Sequence, residues 1–282
     1  MKFLVTGAAG QLGSDVCREL ERRGLVYRGV DVNDFDITDA AAVGACFADW
    51  APEAVLHCAA YTAVDRAEDE ADLCRAVNTA ATRHIARACA NSGAKMLYLS
   101  TDYVFPGSGE GFYETDDQTG PLNIYGRSKL EGEAAVRAEL SRCFIVRISW
   151  AFGRQGLNFV KTMLRLGAER EEISVVADQA GSPTYTADLA PLLCDMALSE
   201  KYGVYHATNE GVCTWAEFAA AVMEEAGLPA RIKPTTTAAY PTRAARPLNS
   251  RLSKANLTRA GFNRLPHWRD ALRRFCQGGG AA

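Results

Sequence analysis

Histidine is scarce in this chain, CxxC pairs and long apolar runs are missing, and positive charge is not in excess. Each shortage excludes something. The four histidines stand at no ligand spacing from any cysteine, so no structural zinc site is expected. The nine cysteines are an odd set lying mostly among apolar neighbours, as in Leu56-His57-Cys58-Ala59. They read as reduced small hydrophobes of a cytoplasmic protein, not as a disulfide framework. No apolar run reaches bilayer length and no charged leader precedes Lys2, so neither a membrane span nor a secretory signal is expected. Lysine and arginine number 31 against 34 acids, a formal charge of −3, and the mean field favours neither nucleic acid nor an anionic membrane.

What is present is a strict alternation. Strand-like runs at 2–6, 25–30, 54–57, 95–100 and 144–148 are separated by helix-length amphipathic segments at 11–23, 39–50, 72–91 and 127–140. Crossovers of that length join parallel strands, so the expected fold is α/β: an open, Rossmann-type doubly wound parallel sheet with ligands at its carboxyl edge. After about residue 148 the rhythm breaks into turn-rich loops, with helices near 157–168, 186–199, 214–226 and 266–276 and strands near 173–176 and 203–206. This predicts a dinucleotide-binding domain over 1–148 with a returning segment near 186–208. A smaller, discontinuous α/β substrate-binding lobe is expected over 149–185 and 209–282.

Between the first strand and first helix stands Thr6-Gly-Ala-Ala-Gly-Gln-Leu-Gly13. Gly7 suits a tight turn, Gly10 a close approach to pyrophosphate and Gly13 close helix–strand packing, with helix amides at Gln11 and Leu12 facing the anion. Asp31 closes the second strand 18 residues after Gly13, where an acid holds ribose hydroxyls and repels a 2′-phosphate. Further on, Tyr125-Gly-Arg-Ser-Lys129 sets a phenol and an ammonium four residues apart on one helix face. The ammonium is expected to lower the phenol's pKa towards a working range. Thr101 ends a strand 24 residues earlier and offers a hydroxyl at its rim.

The GxxGxxG spacing resembles the extended branch of the short-chain dehydrogenase/reductase superfamily. Ser100-Thr-Asp-Tyr-Val-Phe105, Pro121 through Glu133, Cys58-Ala-Ala-Tyr-Thr-Ala-Val-Asp65 and Ala76-Val-Asn78 narrow the resemblance to the dTDP-4-dehydrorhamnose reductases. In the second lobe, Ser149-Trp150, Asn158 through Met163, Val176 through Thr184, Tyr240-Pro-Thr242 and Arg246 through Ser250 resemble that family too.

The resemblance implies reduction of the 4-keto group of a dTDP-linked 6-deoxyhexose by NADPH or NADH. Thr101, Tyr125 and Lys129 would be catalytic. Coenzyme contacts would come from the glycine loop, Asp31, Asp36, Ile37, Ala59, Ala60, Tyr61, Asn78, Tyr125 and Lys129. Asn78 orders the site or is an ordinary polar helix residue. Sugar-nucleotide contacts would come from Thr101, Asp102, Val104, Tyr125, Trp150, Asn158, Gln179, Ser182, Thr184 and Arg246. For several of these a plain role stands beside the binding one: Trp150 as core, Gln179, Ser182 and Thr184 as a crossing loop, and Arg246 in a surface ion pair.

Tyr103 stands where related 4,6-dehydratases carry a glutamate, which argues against dehydration. Some relatives use magnesium, and Asp15 stands near such a position, but no ligand set is visible and no metal is assigned. The expected partner is a small dTDP-sugar, with a homodimer left open. The rival reading is a non-catalytic subunit resembling the regulatory partner of methionine adenosyltransferase, or a related epimerase.

Overall fold

The computed structural model describes residues 1–278, so the last residues of the second lobe as drawn above lie outside the described residues. Five strands and their helices follow in chain order: β1 (Lys2–Thr6), α1 (Gln11–Arg22), β2 (Val26–Val30), α2 (Ala40–Trp50), β3 (Ala54–His57), α3 (Ala71–Arg75), α4 (Thr82–Ser92), β4 (Lys95–Thr101), α5 (Ile124–Glu139) and β5 (Cys143–Ile148). The chain continues through β6 (Ala151–Phe152), α6 (Phe159–Glu169), β7 (Glu172–Val176), β8 (Ala180–Gly181), β9 (Thr184–Tyr185), α7 (Thr186–Leu198) and β10 (Gly203–His206). Then come β11 (Cys213–Thr214), α8 (Trp215–Ala226), β12 (Arg231–Thr235), β13 (Asn249–Ser250), α9 (Ala255–Arg259) and α10 (Trp268–Gln277).

Six strands form the main sheet in the order β10-β5-β4-β3-β1-β2, every pair parallel. β4 is buried along its whole length, as a strand covered on both faces must be. One face packs Phe3, Val5, Leu97, Leu99 and Val146 against α1 and α7. The other packs Leu4, Val55, Met96, Tyr98 and Ile145 against α2, α4 and α5. β1 lies between β2 and β3, so chain direction across the sheet reverses there and a crevice opens at the carboxyl ends. Segment 186–206 returns to this sheet, through α7 packed on α1 and β10 paired with β5.

The second lobe has its own core, built from Phe152, Val160, Phe218, Val222, Trp268 and Phe275. α6, α8 and the two-stranded β7–β12 pair enclose it. α8 starts with a full capping box, Thr214 and Glu217 each satisfying the other's backbone amide. No helix among the described residues is long and apolar enough to cross a membrane.

Candidate active site

A cleft of about 870 Å³ runs along the carboxyl edge of the sheet, within the size range of ligand sites. At one end Gly7 adopts φ +68°, and a Cβ on it would lie 2.7 Å from the Ala59 nitrogen. A Cβ on Gly13 would fall 2.0 Å from the Gly7 carbonyl oxygen, so Gly13 fixes packing and does not itself border the cleft. Gly10 opens α1 with no side-chain cap, leaving first-turn amides unpaired at a helix positive end. Gly7, Gly10, Gln11 and Leu12 border the cleft there.

Asp31 borders it too, and its carboxylate accepts the Ala9 amide at 2.8 Å and the Val32 amide at 2.8 Å. The expected ribose acid therefore also braces the glycine loop. Asp36, Ile37, Ala59 and Ala60 complete this end, together with Phe35 and Val32. Arg28 is held by Asp49 at 2.5 Å and lies over Trp50, away from the cleft.

Thr101 ends β4, and its hydroxyl donates to Asp102 at 3.0 Å while accepting the Tyr103 amide at 3.2 Å. Asn123 caps α5 by accepting the Gly126 amide at 2.7 Å. A Cβ on Gly126 would lie 2.3 Å from the Tyr103 carbonyl, so this turn of α5 presses directly on the strand end. Thr101, Asp102, Tyr103, Tyr125 and Lys129 all border the same cleft. Glu133, one turn beyond Lys129, is buried with Arg147 in a two-point pair at 2.8 Å and accepts the Ser100 hydroxyl at 2.6 Å. This pair ties α5 to β4 and β5.

Burial dominates the electrostatics. It raises Asp102 to about 6, against hydrogen bonds from Ser250 and Thr101 that favour the carboxylate. Burial lowers Lys129 to about 7, with the Glu133 carboxylate acting in the opposite sense. Tyr125 is pushed above its ordinary value, first by burial and then by the Asp102 charge, while the Thr101 hydroxyl draws it down. Beside burial, the groups acting on Tyr125 are Asp102 and Thr101, both at the end of β4.

Asn78 is buried in a π-helical turn, Ala76–Ala81, that links α3 and α4. Its side chain accepts the Tyr61 amide at 2.8 Å and donates to the Tyr61 carbonyl at 3.1 Å and to Ser128 at 3.0 Å. It thereby locks the loop after β3 to the helix turn between Tyr125 and Lys129. Asn78 is buried with its side-chain amide spent on Tyr61 and Ser128, so it orders the site from behind the cleft wall. The Tyr61 hydroxyl donates to Glu70 at 2.5 Å.

On the second-lobe side, Trp150 borders the cleft with φ +50°, a conformation rare for a bulky residue. Its ring stacks on Trp215 at 3.8 Å and 16°. Trp215, which also borders the cleft, carries no motif and sits 65 residues away, so only the fold reveals the pair. Asn158 caps α6, accepting the Lys161 amide at 3.0 Å and donating to Gln11 at 3.0 Å, which ties the glycine loop to the second lobe.

The remaining expected sugar contacts lie off the cleft wall. Ser182 accepts Ser149 through its carbonyl at 2.7 Å, and the Thr184 hydroxyl donates to the Ser149 carbonyl at 2.6 Å. Gln179 donates to Thr237 at 3.0 Å, and Val104 is fully buried against Phe105 and Leu252. These four are corrected to bracing and core roles. Arg246 pairs with Asp65 at 2.7 Å, and its Nη1 is buried without a hydrogen-bond partner among the described residues. Arg246 lies beside Tyr103, whose hydroxyl burial pushes up while the Arg246 charge draws it partly back. Asp15 is buried between α1 and α7, accepting Thr186 and pairing with Arg18 at 2.8 Å.

The family model described as the RmlD substrate binding domain matches residues 1–279. A dTDP-4-dehydrorhamnose reductase of Streptomyces griseus is 45% identical over 278 residues, covering 96% of this chain and 91% of that protein. The spore coat polysaccharide biosynthesis protein SpsK of Bacillus subtilis is 42% identical over 276 residues, covering 98% and 97%. The crystal structure of dTDP-4-dehydrorhamnose reductase from Bacillus anthracis in complex with NADP superposes with a TM-score of 0.96 at 42% identity, covering 98% of this chain and 99% of that one. With matches of this length and identity on the fold and cleft described above, the chain belongs to the dTDP-4-dehydrorhamnose reductase family.

Proposed function

We propose that the protein reduces the 4-keto group of dTDP-4-dehydro-L-rhamnose to the alcohol of dTDP-L-rhamnose at the expense of NADPH or NADH. One observation carries this reading: a single cleft holds both a glycine cradle for a dinucleotide and the Thr101, Tyr125 and Lys129 set. The cradle fits the coenzyme on its own chemistry. Gly7 packs so tightly on the Ala59 backbone that no side chain fits there, the first turn of α1 is uncapped, and Asp31 stands at the ribose distance in sequence. When bound, the dihydronicotinamide supplies hydride.

The chain's own groups manage the oxygen on which charge develops. Tyr125 donates its proton to that oxygen and Thr101 donates a hydrogen bond, so both interactions strengthen as the ketone becomes an alkoxide. A buried phenol with a raised pKa is protonated at neutral pH and starts in the donor state. Lys129 holds the ribose hydroxyls. Trp150 and Trp215 offer an aromatic wall for the sugar nucleotide.

Tyr103 contacts Tyr125 edge to face at 5.7 Å and supplies no carboxylate, which counts against a dehydratase. The complete donor set counts against a purely regulatory subunit. The test is a direct assay: coenzyme oxidation with freshly made dTDP-4-dehydro-L-rhamnose, run beside the UDP and GDP equivalents. Stoichiometric oxidation with a 4-hydroxyl product is expected for the dTDP sugar. Tight coenzyme binding without turnover on any keto sugar would overturn the reading.

A further inference from the structure

Lys129 rests on a side chain that the reduction scheme does not use. Its Nζ lies 4.2 Å from the centroid of the Tyr98 ring. Tyr98 sits in the middle of β4 and is fully buried. Its hydroxyl donates to the Lys129 carbonyl at 3.3 Å and reaches the Asn78 carbonyl at 3.5 Å. A Cβ on Gly132 would lie 2.3 Å from that hydroxyl, so a glycine in α5 leaves the space it occupies. His57 stacks near the ring at 5.8 Å and 24°, and is itself held between Thr6 at 2.7 Å and Thr82 at 3.1 Å. The ring thus has one orientation, and that orientation turns its π face to the ammonium.

We propose that Tyr98 is a positioning residue for the reduction: the π face of its ring holds the Lys129 ammonium charged at the cleft floor. The inference rests on the reductase reading above. Burial works against the ammonium, and an aromatic face within about 6 Å offsets part of that cost. Other groups act on the same charge. Glu133 on α5, and Cys58 and Cys74 when ionised, favour it. His57 is pushed down to about 3 by its own burial and by Lys129. Tyr125, one helical turn before Lys129, stays protonated.

The experiment varies the π face while keeping the shape. Tyr98→Phe is made first, then phenylalanines carrying one, two and three ring fluorines are placed at position 98. Coenzyme affinity is read by fluorescence titration across pH, and kcat and KM are measured alongside. Tyr98→Phe is expected to stay within about threefold of the parent. The fluorine series is expected to weaken coenzyme binding stepwise to about tenfold and to move its alkaline limb down by about half to one pH unit. A flat series, or complete loss already at Tyr98→Phe, overturns the proposal. Binding is read without turnover, so the two readings fail separately. An unmodified enzyme that binds coenzyme but reduces no keto sugar contradicts the reductase, whereas a flat fluorine series contradicts Tyr98 alone.

Discussion

The sheet side and the lobe side of the cleft use their polar side chains differently. On the sheet side Asp31 follows β2, Thr101 ends β4, and Tyr125 and Lys129 share one face of α5, and all four border the cleft. On the lobe side the Thr184 hydroxyl turns inward to the Ser149 carbonyl, the Ser182 hydroxyl to the Gly211 carbonyl, and Gln179 holds Thr237. From there Trp150, Trp215 and Asn158 reach the cleft, beside Ser149, Ala151 and Leu157. The sheet side thus turns its polar groups to the cleft from strand and helix ends, while the lobe spends most of its own on internal bracing.

The sharpest break of that comparison is Tyr125→Phe. Removing one proton donor from the sheet side should lower turnover by about 10²–10⁴-fold while coenzyme affinity stays within about twofold. Steady-state kinetics with a parallel binding titration decides it, and unchanged turnover would remove Tyr125 from the donor role. Lys129→Met should cost less, about 10–10²-fold, but in both turnover and coenzyme affinity. With the unmodified protein, kcat/KM for coenzyme should be flat at low pH and fall as pH rises through about 7, because Lys129 loses its charge there. A limb absent from that range would put the lysine's charge outside the binding step.

Legibility in the sequence followed the same division. Short continuous apolar runs located β1 and β3, and helical spacing located α1 and α5, to within a few residues. The α/β class and the positions of Gly7, Thr101 and Tyr125 followed from that frame. The π turn at Ala76–Ala81 was invisible, since one extra residue in a helix leaves no period of its own. The two-residue strands of the lobe are too short for any pattern, and their pairing is set by side-chain bonds across 30 or more residues. Trp215 was missed for that reason, and Thr184 was misassigned. Its motif was read correctly as belonging to the family, yet the direction of its hydroxyl depends on where Ser149 lies.

Asp31→Ala probes a residue that serves both the coenzyme and the loop. The ratio of kcat/KM for NADH to that for NADPH should fall about tenfold as repulsion of the 2′-phosphate is lost. Affinity for both coenzymes should fall a few-fold as well, because the Ala9 amide loses its acceptor. Asp31→Asn keeps an acceptor for that amide while removing the charge, so the ratio should relax with less loss of overall affinity. Identical coenzyme ratios in all three proteins would contradict the ribose role.

The smallest effect is the most discriminating for the lobe. If Thr184 braces and does not bind, Thr184→Ser keeps the bond to the Ser149 carbonyl and should leave KM for the sugar nucleotide near that of the parent. Thr184→Val keeps the shape, leaves that carbonyl buried without its donor, and should destabilise the fold by about 1–3 kcal/mol. KM should rise about three- to tenfold with kcat nearly unchanged, because the strained Trp150 turn relaxes and the ring drifts from Trp215. Trp150→Ala should raise KM by at least as much. The double variant should then cost little more than Trp150→Ala alone, since both changes act through one ring. Full additivity in KM would mean that Thr184 meets the substrate by itself, and the lobe side would then work by the same rule as the sheet side.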